Sequence, residues 1–290
     1  MLAVCNEVTI GFYRVEVLLI MYRTVFVPTV IFNGEAWSRL TISNVENLQT
    51  LQLKCLKRIM KTAQSTPNCS LYLELGILPM GYEIHKKQLV FLHHILSLPE
   101  NDPVKKVYYE LKCYPWATNW ASNISKLLSK YNLPEEEKDI QQLSRNAWKQ
   151  KVKRAIRCEA LNTLLAEAKS KKKTSDMTYP NKLKPQKYLL SYNSNIATII
   201  FKLRSRSVNC LNNRGSDGLC RLCGHAKETQ EHAINCPKIA SGGRFLDMKD
   251  VYGEVPLDNN SNIIEIVERI ELFEKILENR TDNVAGEPKK

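Results

Sequence analysis

Four residues in the last third of the chain have the types and spacing of a metal site: Cys220-Arg-Leu-Cys223, eight residues, His232, three residues, Cys236. In this C-x2-C-x8-H-x3-C pattern the first pair presents two thiolates from one tight turn, which Gly224 helps to close. The second pair lies one turn apart on a short helix, stopped by Pro237. Three sulfurs and one imidazole nitrogen, with no carboxylate, suit tetrahedral Zn²⁺ at about 2.0–2.3 Å. Four protein ligands leave no open position for water, so the expected cofactor is one structural zinc, not a hydrolytic one. His225, inside the loop, is a competing ligand.

Other chemistry is missing from the residues. The chain has no adjacent Asp-Asp pair, no Gly-rich phosphate loop and no G-x-S-x-G, so no catalytic residue is assigned and the reading is not an enzyme. Asp247 and Asp250 lack the flanking apolar strand that would present them to a metal and read as surface residues. His85, His93 and His94 share a helix with no partner cysteine and read as surface or packing residues. The six cysteines outside the motif (Cys5, Cys55, Cys69, Cys113, Cys158 and Cys210) follow no pattern and read as small buried hydrophobes. Nine cysteines are an odd number in a chain too long for a disulfide-stapled miniprotein. With no signal-peptide layout and no apolar run of about 18 residues, the expected compartment is reducing and intracellular, nucleus or cytoplasm, with no membrane.

Charge supplies the second signal. The formal net charge is +12, and its distribution is uneven. Residues 1–144 carry 15 Lys/Arg against 13 Asp/Glu, and residues 217–290 carry 10 against 14. Residues 145–214 carry 17 against 3, a net +14, so the whole excess sits in one central segment. Such a block points to a polyanionic partner, RNA or DNA, because each phosphate neutralised releases condensed counterion. The alternatives are a basic surface that serves solubility alone, or an acidic membrane surface; the latter lacks an apolar anchor. Candidate backbone contacts are Lys149, Lys151, Lys153, Arg154, Arg157, Lys202, Arg204 and Arg206.

The elements that must carry these groups read as mainly helical. Apolar positions 15, 18, 19, 22, 25 and 26 fit one helical face ahead of breaks at Pro28 and Gly34. Ser43 with Glu46 resembles a capping box, followed by a stripe at Val45, Leu48, Leu51, Gln52, Cys55, Leu56 and Ile59. A turn at 71–75 and a helix over 83–98 come next, and 103–131 reads as one or two helices with Trp116 and Trp120 spaced for packing. Residues 135–168 read as one long polar helix, acidic end first. Residues 197–206 form a short apolar helix or strand, and residues 262–280 an amphipathic helix with Ile263, Val267, Ile270, Phe273 and Leu277 in register.

Two stretches also carry a family resemblance. YRTVFVPTVIFNGEAW (22–37), LQLKCLKRIM (51–60) and LYLELGILPMGYEIHKKQLVFLHHIL (71–96) resemble the region after the polymerase palm in reverse transcriptases of non-LTR retrotransposons. FKLRSRSVNCLNNRGSDGLCRLCGHAKETQEHAINCP (201–237) is similar to the C-terminal zinc knuckle of the same proteins. The resemblance implies a thumb and a knuckle that hold template and primer, without the palm aspartates on which polymerisation depends. Some relatives carry a Pro-Asp endonuclease motif after the knuckle; Pro256-Leu257-Asp258 departs from it, and that activity is not carried over.

The expected organisation is a helical thumb-like region at 15–168, a basic linker at 169–199, a CCHC zinc knuckle at 200–240 and a terminal amphipathic helix at 261–280. The expected function is backbone binding of nucleic acid without sequence reading. The rival readings are a protein-interaction module working through the knuckle and the C-terminal helix, and an element-derived relic without function.

Overall fold

The computed structural model describes residues 14–38, 41–114, 118–240, 243–256 and 261–285; Cys5, Trp116, Leu257 and Asp258 fall outside them. The described residues form helices α1 (Arg14–Met21), α2 (Val27–Val30), α3 (Ile42–Ile59), α4 (Asn68–Leu75), α5 (Met80–Leu96), α6 (Pro103–Lys112) and α7 (Trp120–Lys130). They continue with α8 (Glu137–Gln141), α9 (Arg145–Ser170), α10 (Tyr188–Ser191), α11 (Ser194–Arg204), α12 (Gln230–Asn235), α13 (Pro237–Ala240), α14 (Lys249–Tyr252) and α15 (Ser261–Ala285). The protein is mainly α. No strand forms among the described residues, only two isolated antiparallel bridges, Leu75 with Pro185 and Leu219 with Lys227.

Pro28 does not break the first helix. Between α1 and α2 the backbone widens into a π-helical turn, Tyr22–Phe26, in which Val27 N–H reaches back to Tyr22 O. The wide turn absorbs the proline, which has no N–H and would crowd the carbonyl four residues earlier. Val15, Leu18, Leu19, Tyr22 and Phe26 are buried as the periodicity predicts, whereas Val25 is exposed. At α3 the cap is Thr41, whose hydroxyl accepts from Asn44 N–H, and not the expected Ser43 box. Gln52 lies on the stripe of α3 because its amide is fully used. It donates to Tyr22 Oη and Leu78 O and accepts from Tyr72 Oη and Met80 N–H.

The expected single helix over 135–168 is two. The first ends at Gln141, and Ser144 caps α9 by accepting from Ala147 N–H. The buried stripe of α9, Trp148, Val152, Ile156, Ala160, Leu164 and Ala168, recurs every four residues and packs on α4 and α5. Trp148 Nε1–H donates to Leu89 O of α5 at 2.7 Å, so its one polar atom is satisfied inside the core. Of the histidines, His94 is exposed and His93 stacks on Trp148. The scattered cysteines divide: Cys55, Cys69 and Cys210 are buried as expected, but Cys113 and Cys158 are exposed.

His85 supplies a pH test. Its Nδ1 lies 2.7 Å from Tyr131 Oη. Burial, with Lys130 nearby, pulls its pKa down from 6.5 to about 4. The folded state therefore holds neutral imidazole. Its contribution is complete above pH 6.5 and is lost as pH falls from there towards 4, about 2 kcal/mol by pH 4.5. Urea titrations at pH 7 and 4.5 should show that drop for wild type and a smaller one for His85→Gln. Equal drops would place His85 in water.

Residues 169–199, expected as a linker, are part of the core. Leu183, Tyr188, Leu189 and Tyr192 are buried, and α10 packs on α1. Gln186 N–H donates to Glu74 O beside the Leu75–Pro185 bridge. Gly76 permits this approach: its φ is +60°, and a Cβ there would stand 2.2 Å from Lys184 C. Downstream, α15 packs on α11, α12 and α13. The five register positions of α15 are all buried, as the periodicity predicts. That apolar face is covered by α11, α12 and α13.

Candidate metal centre

The turn that presents Cys220 and Cys223 is closed by backbone. Cys220 N–H donates to Ala226 O at 2.7 Å, and Gly224 N–H returns to Cys220 O at 2.8 Å. Gly224 has a φ of +71°, a left-handed value that suits glycine and explains its place after the second cysteine. Glu228, fully buried, fixes the far side of the loop. Its carboxylate accepts from Arg221 Nε–H at 3.0 Å and from the N–H groups of Arg221 and Leu211. These partners hold the carboxyl below its ordinary pKa against the opposing effect of burial, which on its own would raise it.

The other two ligands come from α12 and its exit. Thr229 caps α12 by accepting from His232 N–H at 3.1 Å, which fixes the first turn and the imidazole with it. Cys236 follows in extended backbone, with ψ of 130°, and its carbonyl accepts from Ile239 and Ala240 N–H at the start of α13. Pro237 therefore both ends α12 and opens the next turn. From α15, Arg269 donates to Ile234 O at 2.9 Å, answering a carbonyl that the end of α12 leaves over. Asn235 exchanges two hydrogen bonds with the backbone of Leu246.

These elements bring Cys220, Cys223, His232 and Cys236 together, with all four ligand atoms within 4.8 Å of one another. Cys220 Sγ lies 3.9 Å from Cys236 Sγ, and Cys223 Sγ lies 3.3 Å from His232 Nε2. Sulfurs on one tetrahedral zinc at 2.3 Å would stand about 3.8 Å apart, so the spacing fits a shared ion. Burial pushes the Cys236 thiol up to about 12, whereas a backbone N–H at His225 holds Cys223 below its ordinary value. A divalent cation at the centre would make thiolate favourable at Cys236. The four residues can hold a metal ion. Exposed His225 is not part of the cluster. Asp247 is exposed, and Asp250 joins no metal cluster among the described residues.

The eight basic candidates fall into two groups. Lys149, Lys151, Lys153 and Arg154 are exposed on α9 and join no ion pair among the described residues. Arg145, which the sequence reading passed over, is also exposed and lies one turn before Lys149. Its signal was the four-residue spacing Arg145, Lys149, Lys153. The others are engaged by the fold. Arg157 donates to Leu183 O, Lys202 pairs with Glu274 at 3.0 Å, and Arg206 pairs with Asp176.

Arg204 is a correction. It is 2% exposed, and its guanidinium donates to Glu74 Oε1 and to Thr178 O, Val251 O and Gly253 O, each at 2.6–2.7 Å. With every arm occupied inside the protein it cannot reach a phosphate.

No family model, curated protein or solved structure matches the chain. The resemblance to non-LTR reverse transcriptases therefore stands on the quoted motifs alone. No helix among the described residues is long and apolar enough to cross a membrane.

Proposed function

We propose that the chain is a zinc-stabilised helical module that binds the phosphate backbone of RNA or DNA. In this reading it corresponds to the thumb and knuckle of a non-LTR reverse transcriptase and carries no polymerase centre of its own. The observation that carries it is the cluster of exposed cations along the first turns of α9. Arg145, Lys149, Lys151, Lys153 and Arg154 crowd about 15 Å of helix and have no carboxylate partner among the described residues. Cations left unpaired on a rigid 26-residue helix are pre-positioned for a repeating anion. Backbone contacts of this kind give affinity and register without sequence information. Zinc fits the Cys3His donor set and its spacing, and thiolate ligands suit a reducing intracellular compartment.

Fluorescence anisotropy of the zinc-loaded chain with labelled RNA and with two unrelated duplexes tests this. The duplexes should bind alike. Affinity should fall by roughly 10²–10³ between about 50 and 200 mM salt if the five cations each neutralise one phosphate. Absence of binding at low salt would reject the reading.

A further inference from the structure

We infer that a second ligand site, for a single phosphate group, lies where the end of α3, the start of α4 and the lysine run after α9 meet. A cavity of about 450 Å³ opens there, lined by Lys57, Thr66, Asn68, Lys171, Lys172 and Lys173 among others. It sits beyond the C-terminal end of α9, about 40 Å along the helix from Arg145, and does not depend on the nucleic-acid surface proposed above.

Lys57 carries the argument. It is only 8% exposed, its Nζ donates to Gln64 O at 2.6 Å, and it joins no carboxylate ion pair among the described residues. A lysine packed into the fold with its ammonium partly buried and no counterion is costly, and the described residues around Lys57 supply none. A bound anion would provide it. Burial alone holds the Lys57 pKa below its ordinary value, consistent with a charge that lacks an acid opposite.

Thr66 is an independent second sign. It lines the same cavity, is 2% exposed, and its Oγ1 has no hydrogen-bond partner. Buried hydroxyls are rarely left so. The third sign is α4 itself. This eight-residue helix starts from Pro67 with no side-chain cap, and Pro67 and Asn68 at its start line the cavity, which places the positive end of the helix beside it. Lys172 and Lys173 join no ion pair among the described residues. Glu167 is the carboxylate at this end of α9, and Lys171 already pairs with it. Ammonium groups, a free hydroxyl and helix amides together make a donor-rich site that suits the several acceptor oxygens of a phosphate.

Backbone amide NMR of the zinc-loaded full chain, titrated with inorganic phosphate at constant ionic strength, tests the site. The amides of Asn68 and Cys69 should shift and saturate. Lys57→Met should weaken the apparent affinity at least tenfold, since an apolar chain of similar length removes the charge and keeps the packing. Lys54→Gln, on the exposed face of α3, should leave it unchanged. If Lys57→Met does not give a folded spectrum, Thr66→Val supplies the test through a weaker saturation at the same amides. A strand source is distinguished by an oligonucleotide without a terminal phosphate: shifts at the same amides assign the site to a backbone phosphodiester, and shifts with inorganic phosphate alone assign it to free phosphate. No saturable shift, or equal shifts in wild type and Lys57→Met, would overturn the inference.

Discussion

Arg204→Met should destabilise the folded chain by about 3–5 kcal/mol, the usual cost of removing one partner of a buried ion pair. Glu74 and Arg204 come from α4 and α11, 130 residues apart in sequence, and meet with Nε to Oε1 at 2.7 Å. Both are almost wholly excluded from water. Tyr188 adds a hydrogen bond to the other carboxylate oxygen at 3.0 Å, and burial with the adjacent Glu74 charge raises its pKa well above the ordinary value. Removing the guanidinium strands a buried anion and leaves the carbonyls of Thr178, Val251 and Gly253 without their donor. Neutralising the stranded carboxylate in Glu74→Gln/Arg204→Met should recover part of the loss, because the charge and not the shape dominates. Urea denaturation of the single and double variants measures both. A loss below about 1 kcal/mol would place Arg204 at a solvated surface.

Removal of the metal should have an effect of similar size, confined to one end of the molecule. The purified reduced protein should hold one zinc per chain, with three sulfurs and one nitrogen in its X-ray absorption spectrum. Cys223→Ser should abolish it, because a serine hydroxyl stays protonated where a thiol ionises. Structural zinc contributes apparent binding energies of about 10–16 kcal/mol in finger peptides. Here the turn at Cys220 and the Arg221–Glu228 pair are held by protein contacts as well. Hydrogen exchange should show residues 215–240 unprotected in Cys223→Ser while α3–α9 stay protected, since α12 and α13 pack chiefly on α15 and α9 packs on α4 and α5. Reduced protein without stoichiometric zinc would remove the metal assignment.

The Cys3His cluster was legible in the sequence because the whole set closes within 17 residues, so local spacing defines it. The face of α15 was legible for a similar reason: one uninterrupted helix keeps its register. Arg204 was not. It ends a helix beside Lys202 and resembles a phosphate contact, but α11 is buried around most of its circumference and carries the guanidinium inward. The available signal lay elsewhere, in Leu71–Gly76, where Glu74 is a single carboxylate inside an apolar run and needs a buried cation. The basic segment at 169–199 misled in the opposite direction. Its lysines sit on the surface, and Leu183, Tyr188, Leu189 and Tyr192 between them bind it to the core. Caps were misplaced where several hydroxyl residues compete, as with Thr41 and Ser43, because only the backbone turn decides among them.

The central claim is that the exposed cations of α9 grip a phosphate backbone, and the salt dependence of a charge-neutralised variant tests it most directly. Arg145, Lys149 and Lys153 follow one another at four-residue spacing along the helix, Arg154 lies about 100° further round from Lys153, and all four are exposed. Their joint replacement by Gln keeps helix propensity and leaves the buried stripe intact. Anisotropy titrations of wild type and this variant on a duplex at several salt concentrations give log K against log salt. The slope should become shallower by roughly 3–4 if each residue neutralises one phosphate. A variant that binds with the wild-type slope would contradict the account.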